Sequence, residues 1–224
     1  MRHVISIAQC KGGVGKTTLA VCIAGELKQR GRDVILVDSD PHRSSCQWAD
    51  PGNLGFPVRE IVLDEQPVTR WAKAVQRISA DYVVIDTAPN DRALGATITL
   101  SDLVIMPCTP SGLDVAATMH TLEIVDAVRL RSQYAPLLIL VPNRVDLRTV
   151  EGQQLVDELV AFGEHVSPPI GDRTAFVRAF TAGRSISAAA PESMAHQEIR
   201  ALCSLLERKL AGRGAPKAQA QRSS

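Results

Sequence analysis

Residues Cys10–Thr18, CKGGVGKTT, decide the fold of this chain. They follow an apolar run at His3–Ala8 and lead into an apolar periodic segment at Lys16–Arg30, so the sequence predicts a strand, a glycine-rich loop and a helix. The stretch departs from the phosphate-loop pattern G-x-x-x-x-G-K-[ST] at Cys10, where that pattern has glycine. Glycines let backbone N–H groups curl around an anion, and the positive end of the helix dipole faces the same anion. A phosphate-binding loop is therefore expected.

Further short apolar runs follow along the chain, and each of them ends in polar residues. They lack the alternation of half-exposed strands, which is typical of strands buried on both faces of a parallel sheet. Helical patterns lie between them, so the chain is expected to be a single α/β domain with a mainly parallel sheet and helices on both faces. The strand runs are Asp33–Val37, Tyr82–Ile85, Leu103–Met106 and Leu137–Val141, and the helical patterns are Val68–Ile78, Leu113–Arg131, Val150–Phe162 and His196–Leu210. The domain is expected to span residues 1–211, and residues 212–224 to form a basic, disordered tail.

Composition excludes several classes of protein. The chain has 224 residues, 45% of them hydrophobic and 22% charged, as in an ordinary globular protein. It has no apolar run of about 18 residues, which excludes a membrane-spanning helix. Its five cysteines form no CxxC pair, which favours free thiols inside the cell over a metal or iron–sulfur site.

Four side chains around the loop have the chemistry that a magnesium-bound triphosphate needs. Lys16 is expected to reach the β- and γ-phosphates, and the Thr17 hydroxyl to bind Mg²⁺. Asp38 and Asp86 end two apolar runs, at the edge of the sheet where α/β folds bind ligands. A single aspartate at a strand end is usually a turn residue, so these carboxylates carry weight only as a set, together with Asp40.

The loop with its extra lysine, KGGVGKTT from Lys11 to Thr18, resembles the deviant Walker A P-loop ATPases that include ParA and MinD. The resemblance implies an ATPase with ATP and Mg²⁺ as cofactors and a homodimer that forms around two ATP molecules. Lys11 would cross the dimer interface and act, with Lys16, as a catalytic residue at the phosphates. The expected nucleotide-binding residues of the loop are Lys11, Gly12, Gly13, Val14, Gly15, Lys16, Thr17 and Thr18.

Two further segments carry the same resemblance. Val34–Trp48 resembles the first switch region of ParA proteins, in which Asp40 would orient the attacking water and Asp38 would bind Mg²⁺ through water. His42 replaces the glutamine that is usual there. Tyr82–Asp86 resembles a Walker B strand, in which Asp86 would bind Mg²⁺ through water.

Asn143 follows the apolar run at Leu137–Val141. Its amide could bind the adenine edge, since an amide offers both a donor and an acceptor. An ordinary capped turn is the alternative.

The leading hypothesis is a small ParA-type positioning ATPase without an N-terminal DNA-binding domain. It would bind double-stranded DNA without sequence preference, sit on the nucleoid in the bacterial cytoplasm, and move a plasmid, a chromosome region or an organelle such as a carboxysome. A ParB-like or cargo adaptor protein would stimulate hydrolysis. The candidate DNA contacts are Arg184, Arg200, Arg208 and Lys209.

Two alternatives remain open at this point. A MinD-like membrane switch needs a terminal amphipathic helix, but Gly212–Ser224 has no bulky apolar residue, so no membrane partner is expected. A metabolic ATP-dependent enzyme could use the same fold, although ligases of this kind usually lack a lysine at the position of Lys11.

Overall fold

The structure is a computed structural model, and it describes residues 2–63, 66–110, 112–132 and 135–212. Strands and helices alternate along these residues. The strands are β1 (His3–Ile7), β2 (Val34–Asp38), β3 (Val58–Glu60), β4 (Tyr82–Asp86), β5 (Leu103–Cys108), β6 (Leu137–Val145), β7 (His165–Val166) and β8 (Ile170–Gly171). The helices are α1 (Lys16–Gln29), α2 (Ser44–Ala49), α3 (Val68–Gln76), α4 (Asp91–Leu100), α5 (Gly112–Arg131), α6 (Val150–Ala161), α7 (Thr174–Thr181), α8 (Ile186–Ala189) and α9 (Met194–Gly212).

The strands form one sheet in the order β3-β2-β4-β1-β5-β6-β7, and β8 also pairs with β6. All of these pairings are parallel. Because parallel strands end at one edge of the sheet, the loops after β1, β2, β4 and β6 meet there. The register places Asp38 of β2 directly opposite Asp86 of β4.

The central strands are buried on both faces, as the uninterrupted apolar runs predict. Ile5, Ile7 and Val84 point to one face and pack in a core with residues of α1 and α9. Val4 and Val83 point to the other face, where they pack with residues of α3 and α4. A third cluster beneath α5 and α6 completes this second face. The expected single α/β domain with helices on both faces is confirmed.

The predicted elements lie where expected, with bounds that shift by a few residues. The largest shift is at β6, which continues past Val141 to Val145 because its last residues pair with β8. The turn-rich segment at Asp50–Pro57 is irregular, although Leu54 and Phe56 within it pack into the core. Gly212, the first residue of the predicted tail, is the last residue of α9, and residues 213–224 lie outside the described residues.

No described helix has the length and apolar character needed to cross a membrane.

Candidate functional site

The predicted phosphate loop lies between β1 and α1. Gly13 and Gly15 have φ angles of 78° and 93°, in the left-handed region that favours glycine. A Cβ added at Gly12 or Gly13 would meet no atom within 4 Å. The surface above these glycines therefore has room for a phosphate group.

Lys16 is the first residue of α1 and is almost completely buried at the base of the loop. Its Nζ donates a hydrogen bond of 2.9 Å to the backbone carbonyl of Lys11, so the side chain folds back along the loop. Burial lowers the pKa of Lys16, whereas the charges of Asp86 and Asp40 act in the opposite direction. The ammonium group is therefore held within the loop, where the charges of both carboxylates act on it.

Cys10 occupies the position at which the sequence departs from the phosphate-loop pattern. Its thiol donates to the carbonyl of Ala117 in α5 at 3.2 Å. Its backbone N–H points to the Thr121 hydroxyl at 3.2 Å and the Gln9 side chain at 2.9 Å. The cysteine thus joins the start of the loop to α5.

Asp86 ends β4 and lies directly below the loop. The hydroxyls of Thr17 and Ser45 both donate to its Oδ2, at 2.7 and 2.8 Å. The carboxyl group is fully buried, and burial raises its pKa to about 7. A cation placed beside it would favour the ionised form.

Asp38 ends β2 and is also buried. One of its oxygens accepts from the backbone N–H of Cys46 at 2.9 Å, and the other from that of Asp40 at 3.2 Å. Burial raises its pKa, and the charge of Asp40 adds to the effect. These contacts fix the carboxyl group beside Asp86.

The donor set suits magnesium held jointly with a nucleotide. Among the described residues, no three His, Cys, Asp or Glu side chains are grouped so that they could hold a metal ion by themselves. Mg²⁺ usually keeps several waters and takes one or two carboxylates together with substrate phosphates. Thr17, Asp86 and Asp38 lie next to the loop and match that requirement.

Asp40 lies just beyond β2 and lines the cleft above the loop. Its Oδ1 accepts from the backbone N–H of His42 at 2.9 Å, and the Nδ1 atom of the His42 ring lies at the same distance from it. The histidine that stands in place of the usual glutamine therefore contacts the carboxylate expected to orient water.

Asn143 lies within β6 and not after it. Its side chain is buried under the loop, where Nδ2 donates to the carbonyl of Val14 at 2.7 Å. Arg144 follows with a φ of 57° and directs its guanidinium toward the carbonyl of Gly13 at 3.4 Å. Whether Asn143 also contacts adenine stays a prediction.

A cleft of about 610 Å³ extends from the loop to α7. At the α7 end Trp48 and Phe180 meet edge to face, with ring centroids 5.2 Å apart, and Phe176 lines the same wall. Neither this wall nor the contact of Ser45 with Asp86 was predictable from the sequence, because each depends on residues that are far apart in the chain. The cleft is large enough for a nucleotide.

The four candidate DNA-binding residues have different neighbours. Arg184, Arg200 and Arg208 are exposed. The carbonyl of Arg184 accepts from the Trp48 indole, and that of Arg200 accepts from Arg30 at the end of α1. Lys209 is half-buried, and its Nζ lies 3.3 Å from His165 Nδ1 in β7. Their role at DNA stays a prediction.

A protein-family model matches most of the chain. The profile of the CobQ/CobB/MinD/ParA nucleotide binding domain matches residues 5–186. ParA from Rhizobium radiobacter is 28% identical over 191 residues, which cover 82% of this chain and 84% of that protein.

Two further proteins are similar in sequence or structure. Maintenance of carboxysome distribution protein A from Gloeobacter kilaueensis is 35% identical over 126 residues, or 54% of this chain and 56% of that protein. The match thus spans little more than half the length of the carboxysome protein. A plasmid partition protein from Borrelia burgdorferi bound to AMPPNP superposes with a TM-score of 0.76 at 19% identity, covering 93% of this chain and 100% of that one. At this identity the likeness concerns the fold alone.

Proposed function

The chain belongs to the CobQ/CobB/MinD/ParA family of nucleotide-binding domains, and on this premise we propose that it is a ParA-type positioning ATPase. It takes ATP and Mg²⁺ and hydrolyses the γ-phosphate slowly. The ATP-bound form is a dimer that binds double-stranded DNA without sequence preference. Hydrolysis, stimulated by a partner protein, returns it to the free form.

One observation carries this proposal: the loop, its lysine and the carboxylates meet at one edge of the sheet. The Lys16 ammonium lies within the loop, and the Thr17 hydroxyl is bonded to the buried Asp86 carboxyl group. Phosphoryl transfer needs charge neutralisation and a positioned water more than covalent chemistry, and these groups supply such an environment.

Each side chain has a separate task in this proposal. Lys16 neutralises phosphate charge from its own loop, and Lys11 does so across the dimer interface. Thr17, Asp38 and Asp86 hold Mg²⁺, the two carboxylates through water. Mg²⁺ neutralises charge on the triphosphate, which supplies the transferred phosphoryl group. Asp40 orients the attacking water from the rim of the cleft.

The similar proteins support a role in positioning. One is ParA, and one is named for carboxysome distribution. The cargo is accordingly a plasmid, a chromosome region or a protein organelle, recognised through a ParB-like or adaptor protein. The protein acts in the bacterial cytoplasm on the nucleoid.

Isothermal titration with MgATP tests the nucleotide site. Wild-type protein is expected to bind, and Lys16→Ala to give no measurable heat, because the buried ammonium is lost from the loop. Lys28→Ala is the matched control, since Lys28 is an exposed lysine at the far end of the same helix. Binding by Lys16→Ala with wild-type affinity would contradict the proposed site.

A further inference from the structure

The end of β6 has an irregularity directly beneath the phosphate loop. Asn143 pairs with Ile170 of β8 and Val145 with Gly171, and the register shifts between them. At that shift Arg144 takes a φ of 57°, which is costly for a residue with a side chain. Such bulges redirect side chains next to functional sites. Here, the consecutive side chains of Asn143 and Arg144 are both directed at the phosphate loop.

The two side chains contact two consecutive carbonyls of the loop. The Asn143 amide donates to the carbonyl of Val14 at 2.7 Å, with only 5% of Asn143 exposed. The Arg144 guanidinium makes a longer contact of 3.4 Å to the carbonyl of Gly13 and pairs weakly with Asp172. The short, buried bond from Asn143 is therefore the principal restraint.

The fit between Asn143 and the loop is tight. A Cβ added at Gly15 would lie 2.5 Å from Asn143 Nδ2, well inside van der Waals contact. Gly15 also has a φ of 93°. The glycine before Lys16 is therefore required twice, for its backbone conformation and for the close approach of the amide.

A planar trans peptide directs its C=O and its N–H in opposite directions. Holding the Val14 carbonyl toward β6 therefore turns the N–H of Gly15 away from β6, as in a loop that presents its N–H groups to an anion. We propose that Asn143 is a positioning residue that sets the Val14–Gly15 peptide for phosphate binding. One of its two amide hydrogens is used for this bond whichever base the nucleotide has.

Asn143 could read adenine or orient the loop, and these two roles predict different effects on ATP and on a base-free polyphosphate. A residue that reads adenine affects ATP binding and leaves binding of a base-free polyphosphate unchanged. A residue that orients the loop lowers the affinity for both ligands by a similar factor, since both use the same N–H groups.

Displacement of a fluorescent ATP analogue by MgATP and by inorganic tripolyphosphate distinguishes these roles. Asn143→Leu is similar in size, and it removes the donor to the Val14 carbonyl without adding a charge beside the phosphates. We expect it to weaken both competitors by about tenfold or more, the scale of losing a buried hydrogen bond and leaving its partner unpaired. Arg148→Ala is the control, because Arg148 is exposed, lies on the same connection and pairs with Asp146.

A second measurement does not depend on ligand binding. Hydrogen exchange of the loop peptide in nucleotide-free protein is expected to be faster in Asn143→Ala than in wild type, by a larger factor than exchange in α9 changes. This variant also replaces Asn143→Leu if the latter fails to fold.

The inference rests on the proposed nucleotide site, and its failure is distinguishable from the failure of that site. Wild-type protein that binds neither ATP nor the analogue would contradict the proposed function. Wild-type binding combined with a loss of ATP affinity alone in the variant, or with no loss, would overturn only the role of Asn143.

Discussion

The fold disfavours ionisation of Asp86, whereas the proposed Mg²⁺ would favour it. Its pKa is raised from 3.8 to about 7 because the carboxyl group is buried. A neutral Asp86 therefore stabilises the nucleotide-free fold fully below about pH 4, and this stabilisation is lost as the pH rises through 7. Across that window the loss amounts to at most about 4 kcal/mol.

Asp86→Asn removes this titration and keeps an acceptor for the hydroxyls of Thr17 and Ser45. Its free energy of unfolding minus that of wild type is expected to grow from pH 4 to pH 7 and then to level off. Urea denaturation of nucleotide-free protein across this range measures the difference. A difference that does not change with pH would contradict the raised pKa, and loss of Mg²⁺-dependent ATP affinity in the same variant would support the metal role.

Among the elements, the central strands and the helices after them were the most predictable. Runs such as Tyr82–Ile85 are buried on both faces, so their apolar residues follow one another without polar interruption. The phosphate loop was predictable because glycines, a lysine and a hydroxyl must occur at fixed spacing for anion binding. The resemblance to the deviant Walker A group is confirmed by the family match.

Elements without such a constraint escaped prediction. Helix α4 contains a glycine and two threonines, which weaken its helical signal, and its one clear cue is the Asn90 side chain that caps Ala93 N–H. The wall formed by Trp48 and Phe180 depends on the packing of α2 against α7. No local pattern reports a contact between residues so distant in the chain, and the bond from Asn143 to Val14 escaped for the same reason.

The packing of α1 against α8 requires a glycine at position 25. A Cβ there would lie 2.3 Å from Ser185 Cβ and 2.4 Å from its Oγ. Alanine is the better helix former by about 0.5–1 kcal/mol, but forced overpacking costs about 1–3 kcal/mol. Gly25→Ala is therefore expected to lower the free energy of unfolding.

Gly95→Ala is the matched control for this prediction. Gly95 lies inside α4, and an added Cβ would meet nothing within 4 Å. Here the helix propensity acts alone, and a gain of about 0.5–1 kcal/mol is expected. Chemical denaturation measures the change in the free energy of unfolding for both variants. An equal gain in both would show that the contact with Ser185 relaxes at little cost.

For the whole molecule, the central prediction is an ATP-dependent dimer. Lys11→Ala keeps the backbone carbonyl that accepts from Lys16, so ATP binding is expected to survive while the trans contact is lost. Asp40→Ala keeps the loop and loses the carboxylate at the cleft rim, so the ATP-bound dimer is expected to accumulate. Light scattering with MgATP should give a monomer for Lys11→Ala and a stable dimer for Asp40→Ala. A monomeric Asp40→Ala protein would contradict the role assigned to Asp40.

The proposed binding of DNA depends on which charges around α9 are left without an ion pair. Arg30 and Arg32 both pair with Glu207, which partly neutralises that end of the surface. Arg208 is exposed and has no ion pair with any residue in the described part of the chain. Among the candidates it is thus well suited to contact a phosphate, together with its neighbour Lys209.

Each phosphate contact to duplex DNA releases condensed counterions, so the logarithm of the affinity falls with the logarithm of salt concentration by about 0.9 per contact. Fluorescence anisotropy of a random-sequence duplex with MgATP, titrated at several NaCl concentrations, gives this slope. Arg208→Ala is expected to reduce its magnitude by about 1 per protomer and to weaken binding to all sequences alike. Arg148→Ala, whose charge is already paired with Asp146, should leave the slope unchanged. An unchanged slope for Arg208→Ala would show that Arg208 does not contact DNA. Wild-type protein that has no affinity for the duplex at low salt would contradict DNA binding itself.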